Sequence, residues 1–318
     1  MKITRSLAHH QPSAYPVLTI GNFDGLHRGH AALLRSVVKT ATEKRGTSLV
    51  LTFDPHPMTV LSPSTPLRLL TTIDDKLARF QEAGLDEVFC IPFDMDFAAL
   101  TPEEFVCKIL RDQIGVRELF VGEQFAFGVG RSGRMADLLR LSQAAGFVVH
   151  AVPPVCVENE VVSSTRIRTM VQAGEVSRAA QFLGRAYDLA GTVVPGEQRG
   201  RMLGCPTANI RWPQHRVIPA DGVYAATAVW NGRMADAVAY IGTRPTFGDG
   251  ERVLEVSLLD EQLDLYGQEL SVRFVKRLRG DHVFSTSEDL SRQIQDDVLH
   301  ARGVLKAASR AVSDSQVS

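Results

Sequence analysis

One stretch near the N-terminus narrows what this chain can fold into. The apolar run 17–20 ends in Gly21-Asn22-Phe23-Asp24-Gly25-Leu26-His27-Arg28-Gly29-His30, and a helical pattern follows at once. Leu34, Val37, Val38 and Ala41 stand at i, i+3, i+4 and i+7, the spacing of an amphipathic helix docked on the strand before it. Strand, glycine turn and helix in that order begin a parallel β-α-β unit. The helix start offers unpaired N–H groups and a positive dipole end to a phosphate, and Gly25 and Gly29 remove side chains that would keep one at a distance. His27 and His30, spaced His-x-Gly-His, can donate to phosphate oxygens as charge moves onto a leaving pyrophosphate.

Further strand-like runs at 48–53, 87–93, 118–121 and 147–152 are mostly separated by helix-like segments. This alternation predicts an α/β, Rossmann-like domain whose ligands bind beyond the carboxyl ends of its strands. The run 48–53 passes into Asp54-Pro55-His56-Pro57, where two prolines stop the strand and leave Asp54 and His56 at the same rim as His27 and His30. Gly128-x-Gly130-x-x-Gly133 has the form of a dinucleotide fingerprint, but Phe125, Ala126 and Phe127 intervene after the strand and no acidic residue closes the next one. A nicotinamide dehydrogenase is disfavoured on that ground.

Near Gly184 the pattern changes. Segments 187–194, 223–230, 235–241, 253–259 and 270–276 read as short strands, and Asn231-Gly232 between two of them is a hairpin signal. A small antiparallel β-barrel with a terminal helix over 290–307 is expected. The expected domains are 1–184 and 185–308, with a polar, disordered tail at 309–318.

A chain of 318 residues supports two such cores. Lys plus Arg is 35 and Asp plus Glu is 36, so no charge excess points to nucleic acid or to a membrane surface. No apolar segment has the length of a signal peptide core or a membrane span, which predicts a cytoplasmic protein. Cys90, Cys107, Cys156 and Cys205 are scattered without zinc spacing and are expected to be reduced, mostly buried thiols. Oligomeric state is left open.

The run Gly21 to His30 resembles the His-x-Gly-His signature of nucleotidyltransferases and, as Gly-x-Phe-Asp-Gly-x-His-x-Gly-His, the bacterial FAD synthetases. The resemblance implies an adenylyl-transfer site with His27 and His30 catalytic, and with Gly21, Phe23, Asp24, Gly25 and Gly29 at the nucleotide. Phe53-Asp54-Pro55-His56-Pro57 also matches, and implies Phe53 and His56 at the flavin. The loop after 118–121 is similar to one that lies over flavin and nucleotide. It implies Gln124 and Phe127 as flavin contacts, although Gln124 and Ala126 depart from the commonest residues and a phenylalanine beside a strand, as Phe127 is, is more often core.

Ser163-Ser164-Thr165-Arg166-Ile167-Arg168 precedes a helix, and simple capping accounts for the hydroxyls. It also resembles the Ser/Thr-rich segment that holds the triphosphate, which implies Ser164, Thr165 and a catalytic Arg168 at phosphate, with Arg166 on another side.

In the second half, Gly200-Arg201-Met202-Leu203-Gly204-Cys205-Pro206-Thr207-Ala208-Asn209 resembles the riboflavin kinase signature. It implies Gly200, Arg201 and Gly204 at phosphate and Thr207 and Asn209 as oxygen ligands of Mg²⁺. Glu255, alone among apolar neighbours, is a solvated strand residue or, by the resemblance, the general base. The family is that of bifunctional riboflavin kinase/FAD synthetases, with riboflavin, FMN, FAD and ATP as ligands and Mg²⁺ as cofactor. Departures at Gln124, Ala126 and Arg244 keep one alternative, a flavin-binding or regulatory protein with one decayed site; another small-molecule adenylyltransferase fused to an unrelated barrel is a second, which accounts for His-x-Gly-His but not for Pro206-Thr207-Ala208-Asn209.

Overall fold

A computed structural model describes residues 1–8, 10–195, 207–243, 252–261 and 263–316. The chain divides into two compact units, Met1–Ser164 and Thr165–Ser318.

In the first unit, β1 (Lys2–Thr4), β2 (Pro16–Ile20), β3 (Thr47–Phe53), β4 (Glu87–Ile91), β5 (Glu118–Gly122) and β6 (Val148–Val152) form one parallel sheet in the order β1-β4-β3-β2-β5-β6. The short edge strand β1, beside β4, has no counterpart in the sequence pattern, because three residues are too few to show alternation. The helices are α1 (Arg28–Lys44), α2 (Pro57–Leu61), α3 (Ile73–Glu82), α4 (Met95–Ala98), α5 (Pro102–Glu104, continuing as a π-helix over Phe105–Ile114) and α6 (Met135–Ala145). A hairpin of β7 (Cys156–Val157) and β8 (Glu160–Val161) follows β6.

Successive strand residues point to opposite faces, and both faces are covered. Val17, Val50, Val88 and Cys90 pack with Leu34, Val37 and Ala41 of α1 and with Leu77 and Phe80 of α3. Leu18, Ile20, Leu49, Leu51, Phe89 and Ile91 pack with Val106, Ile109 and Leu110 of the π-helical segment and Leu138 and Leu141 of α6. From β2 the chain moves outward to β3 and β4, then returns to β5 on the other side of β2. The order therefore reverses between β2 and β5, and that reversal opens a ligand crevice beyond the strand tips.

In the second unit, α7 (Ser164–Gln172) runs in from the first, and α8 (Val176–Leu183) is followed by β9 (Tyr187–Val194), β10 (Ala208–Arg211), β11 (Gly222–Trp230), β12 (Arg233–Thr243), β13 (Arg252–Leu258) and β14 (Glu269–Arg279). The six strands close an antiparallel barrel in the order β10-β13-β12-β11-β14-β9. Asn231 and Gly232 join β11 to β12 as a two-residue turn with φ of 46° and 75°, the left-handed pair that an Asn-Gly hairpin requires. Leu189, Tyr224, Ala226, Ala239, Leu254, Val256, Val272 and Phe274 fill the interior.

The terminal helix α9 (Ser287–Gln316) lays Ala301 and Leu305 on Ala225 outside the barrel. It continues to Gln316, where a disordered tail was expected, because 309–316 contain neither Gly nor Pro to end it. The compact unit also begins well before the expected boundary at 184/185. Helix α8 buries Val176, Ala179 and Phe182, and the Ser177 hydroxyl donates to the Val275 carbonyl of β14 at 2.8 Å. Of the three described cysteines only Cys90 is buried; Cys107 is half-buried and Cys156 exposed.

Candidate functional site

The turn after β2 leaves the sheet at its centre, beside the crevice. Phe23, Gly25 and Leu26 all adopt positive φ, 51°, 85° and 38°, so the chain reverses tightly and delivers His27 as the N-cap of α1. Such a turn needs an anchor, and Asp24 supplies it. Its buried carboxylate accepts from Leu70 N (2.9 and 3.1 Å), Thr71 N (3.1 Å) and the Thr71 hydroxyl (3.1 Å), while Gly25 N donates to Thr71 Oγ1 at 3.0 Å. Asp24, expected at the nucleotide, clamps the turn to the segment before α3, and the Gly25 N–H joins the same clamp. The hydroxyl of Ser164, the last residue of the first unit, donates to the Asp24 carbonyl at 2.8 Å.

His27 Nδ1 accepts from His30 N at 3.3 Å, so its proton sits on Nε2. The two imidazoles stack at 3.6 Å between centroids with 14° between planes, and Phe23 meets His30 edge-on at 5.1 Å. A Cβ on Gly29 would come within 3.2 Å of the His27 ring, so this glycine makes room for the stack as well as for a phosphate. Burial, with the nearby His27 and Lys76, holds the His30 imidazole well below its usual range. His30 is therefore neutral near pH 7, and its buried Nδ1 has no hydrogen-bond partner among the described residues. Gly21 N donates to Leu51 O at 3.1 Å, and Phe23 is buried against Phe80 at 5.3 Å, so these two shape the turn. Thr165 and Arg166 are exposed and Arg168 half-buried on α7.

Phe53 ends β3 and opens an aromatic row. It meets Phe93 (5.3 Å) and Phe97 (5.4 Å); Phe97 meets Phe105 (6.1 Å), Phe105 meets Phe127 (5.7 Å), and Phe127 stacks on Phe125 (5.7 Å, 13°). Phe127 is buried, and a Cβ on Gly133 would lie 2.8 Å from its ring, so it anchors the loop from beneath. The half-buried rings Phe93, Phe97 and Phe125 are the ones with a face to offer a flavin. Gln124 is exposed, and His56 caps α2 through Nδ1, which accepts from Met58 N at 3.1 Å.

On the barrel, β13 lies between β10 and β12, with Glu255 directly opposite Asn209 on one side and Tyr240 on the other. Leu254 and Val256 fill the interior, so this polar row lies on the outer face. Thr207, two residues before Asn209, has the spacing that puts both oxygens on one side of an extended chain. The Tyr240 hydroxyl donates to Asp281 Oδ1 at 3.1 Å, and burial with Asp281 and Glu255 nearby pushes it up to about 12. Gly200, Arg201, Gly204 and Arg244 lie outside the described residues.

Comparison with known proteins agrees with both halves. The FAD synthetase family matches residues 9–166 and the riboflavin kinase family residues 183–305. A bifunctional riboflavin kinase/FMN adenylyltransferase from Escherichia coli (strain K12) is 36% identical over 95% of this chain and 97% of its own length. One from Pseudomonas fluorescens is 39% identical over 96% and 98%. The chain belongs to this family. A solved structure described as a macrolide-efflux protein from Streptococcus pneumoniae also matches at a TM-score of 0.87 and 29% identity, covering 94% of this chain and 98% of that one. Among the described residues no helix is long and apolar enough to cross a membrane.

Sequence reading did not single out Tyr240 and Phe97. They look like ordinary strand and helix residues, and only register sets Tyr240 beside Glu255 and only packing sets Phe97 against Phe53. Lys76 did carry a signal: Ile73, Lys76, Leu77 and Phe80 lie on one helical face, and a lysine there interrupts an apolar stripe.

Proposed function

We propose that the family's two activities run at separate sites, one per half. Riboflavin is phosphorylated with ATP to FMN on the barrel, and FMN is adenylylated with a second ATP to FAD at the crevice of the parallel sheet. We place the functional division at 184/185, between the end of α8 at Leu183 and the start of β9 at Tyr187. The stacked pair His27 and His30 at the helix start beside the switch point carries the adenylyl-transfer reading.

There an FMN phosphate oxygen attacks the α-phosphorus of ATP, the bond to the bridging oxygen breaks, and pyrophosphate leaves with the electron pair. The attacking group is already an anion, so no base is needed. His27 and His30 donate to the departing oxygens together with the N–H groups at the start of α1, and Thr165 and Arg168 serve the phosphate chain. Phe93, Phe97 and Phe125 hold the isoalloxazine, with Phe53 behind them at the end of β3 and Gln124 and His56 at its rim.

At the barrel, Glu255 takes the proton from the ribityl 5′-hydroxyl, whose oxygen attacks the γ-phosphorus as ADP leaves. The hydroxyl of Thr207 and the amide oxygen of Asn209 are the hard donors that suit Mg²⁺, and Glu255 lies in register beside Asn209. Held by Thr207 and Asn209, Mg²⁺ would supply charge neutralisation on the ATP phosphates. Riboflavin, FMN, FAD and ATP are the ligands, nucleic acid and membrane are not partners, and the place of action is the cytoplasm.

Incubating the protein with riboflavin, ATP and Mg²⁺ and separating the flavins tests both sites. FMN and FAD form with the wild type. His30→Ala stops at FMN. Asn209→Ala makes no FMN but converts added FMN to FAD, and Glu255→Gln loses riboflavin turnover while still binding riboflavin. Loss of FMN formation in His30→Ala, or failure of Asn209→Ala to convert added FMN to FAD, with the fold intact, contradicts separate sites, and near-normal turnover of Glu255→Gln removes the base.

A further inference from the structure

Lys76 stands on α3 among the apolar residues that dock this helix on the sheet, between Ile73, Leu77 and Phe80. It is 6% exposed. Among the described residues its ammonium takes part in no hydrogen bond and no ion pair within 4 Å. The stem is packed among apolar side chains while Nζ itself keeps access to water, and a leucine or methionine would fill the same space without the cost of bringing a charge so close to the core. Burial pushes Lys76 down from its usual range despite the acidic groups around it.

Its electrical neighbours say where it points. Asp24 follows β2, Asp54 follows β3, Cys90 lies near the end of β4, and His30 sits at the start of α1; each interacts electrostatically with Lys76. All stand at the carboxyl ends of neighbouring strands, which is the crevice side. The two carboxylates do not satisfy the ammonium: Asp24 is committed to Leu70 and Thr71, and Asp54 is exposed and paired at 4.0 Å with Arg5. The unpartnered His30 Nδ1 lies in the same place. A cation on a stem fixed by packing, and beside it a buried His30 Nδ1 without a hydrogen-bond partner among the described residues, both in the family's nucleotide crevice, suit an anion with several oxygens.

We propose that Lys76 is a phosphate-binding residue of the adenylyl-transfer site, donating from Nζ to an oxygen of the nucleotide's phosphate chain. The inference rests on the reading of that crevice as the place of adenylyl transfer. Ordinary lysines grip phosphate from flexible surface stems; this one is held by helix packing, so little side-chain entropy is lost on binding. It also keeps its charge for the ligand instead of for solvent.

The test compares wild type, Lys76→Met and Lys76→Arg in full-length protein. Binding of inorganic pyrophosphate and the KM for ATP in FMN adenylylation are measured with thermal unfolding and FMN affinity. The expected result is pyrophosphate binding and ATP KM weakened about 10- to 100-fold in Lys76→Met, the range for losing a charged hydrogen bond. FMN affinity stays put, unfolding temperature is unchanged or higher, and Lys76→Arg recovers part of the loss. A Lys76→Met protein that melts earlier while keeping its pyrophosphate affinity overturns the proposal and makes Lys76 a counter-charge to Asp24. If Lys76→Met does not fold, Lys76→Arg with unchanged pyrophosphate affinity and normal ATP KM overturns it equally. Failure of the wild type to convert FMN to FAD strikes the underlying reading instead.

Discussion

Replacing Asp24 by alanine removes the acceptor for two backbone N–H groups, Leu70 and Thr71, and for the Thr71 hydroxyl. The site is dry: Asp24, Leu70 and Thr71 are each no more than 2% exposed. A buried donor left unpaired costs about 1–3 kcal/mol. The hydroxyl can rotate toward another acceptor, so the two amides dominate and the clamp loses about 3–4 kcal/mol. A chain with two units need not unfold in one step, so a global melt is a poor readout and local exchange a good one. Hydrogen exchange at Leu70 and Thr71 should quicken by roughly 100-fold or more, since 1.4 kcal/mol is a factor of ten. FAD formation should fall with it, because the turn that positions His27 and His30 is no longer tethered, while FMN formation continues. Exchange at both amides within about threefold of wild type, with FAD formation intact, refutes the clamp.

Two other perturbations bear on the same unit. Because burial lowers the His30 imidazole from 6.5, the unfolded chain takes up the proton first, so wild-type stability falls as the pH drops below about 6.5 and goes on falling to the folded-state value. His30→Gln should flatten that part of the curve, and parallel unfolding midpoints for the two proteins from about pH 7.5 to about pH 5.5 would sink the assignment. Gly133→Ala places a Cβ 2.8 Å from the Phe127 ring, an overpacking cost of about 1–3 kcal/mol, and should raise the KM for FMN without changing riboflavin phosphorylation.

Much of the molecule was legible because its signals are local. The strand, turn and helix over 17–41, the alternation that follows it and the Asn231-Gly232 hairpin each depend on residues a few positions apart, and the structure has them where periodicity and turn chemistry put them. The His-x-Gly-His spacing likewise fixes two imidazoles on adjoining positions of one helix start. Boundaries were less legible: β10 is only four residues long, and α8 joins the barrel's compact unit through a face whose partner, β14, lies about ninety positions away in sequence.

What the sequence determined by itself is therefore the pair of folds and the chemistry at each signature, since helix starts, glycine turns and strand alternation are set by neighbouring residues. Only tertiary structure decided which of those side chains are spent on holding the site and which face it. Asp24 looked like a ligand residue and is bonded to amides 46 and 47 positions on. Lys76 interrupts an apolar stripe in the sequence, but only the fold buries it beside His30, and Tyr240 reaches Glu255 only because β12 and β13 pair in that register. Burial and pairing between distant segments are properties of the folded chain, and they set both the charge state of a group and what it is left to bind.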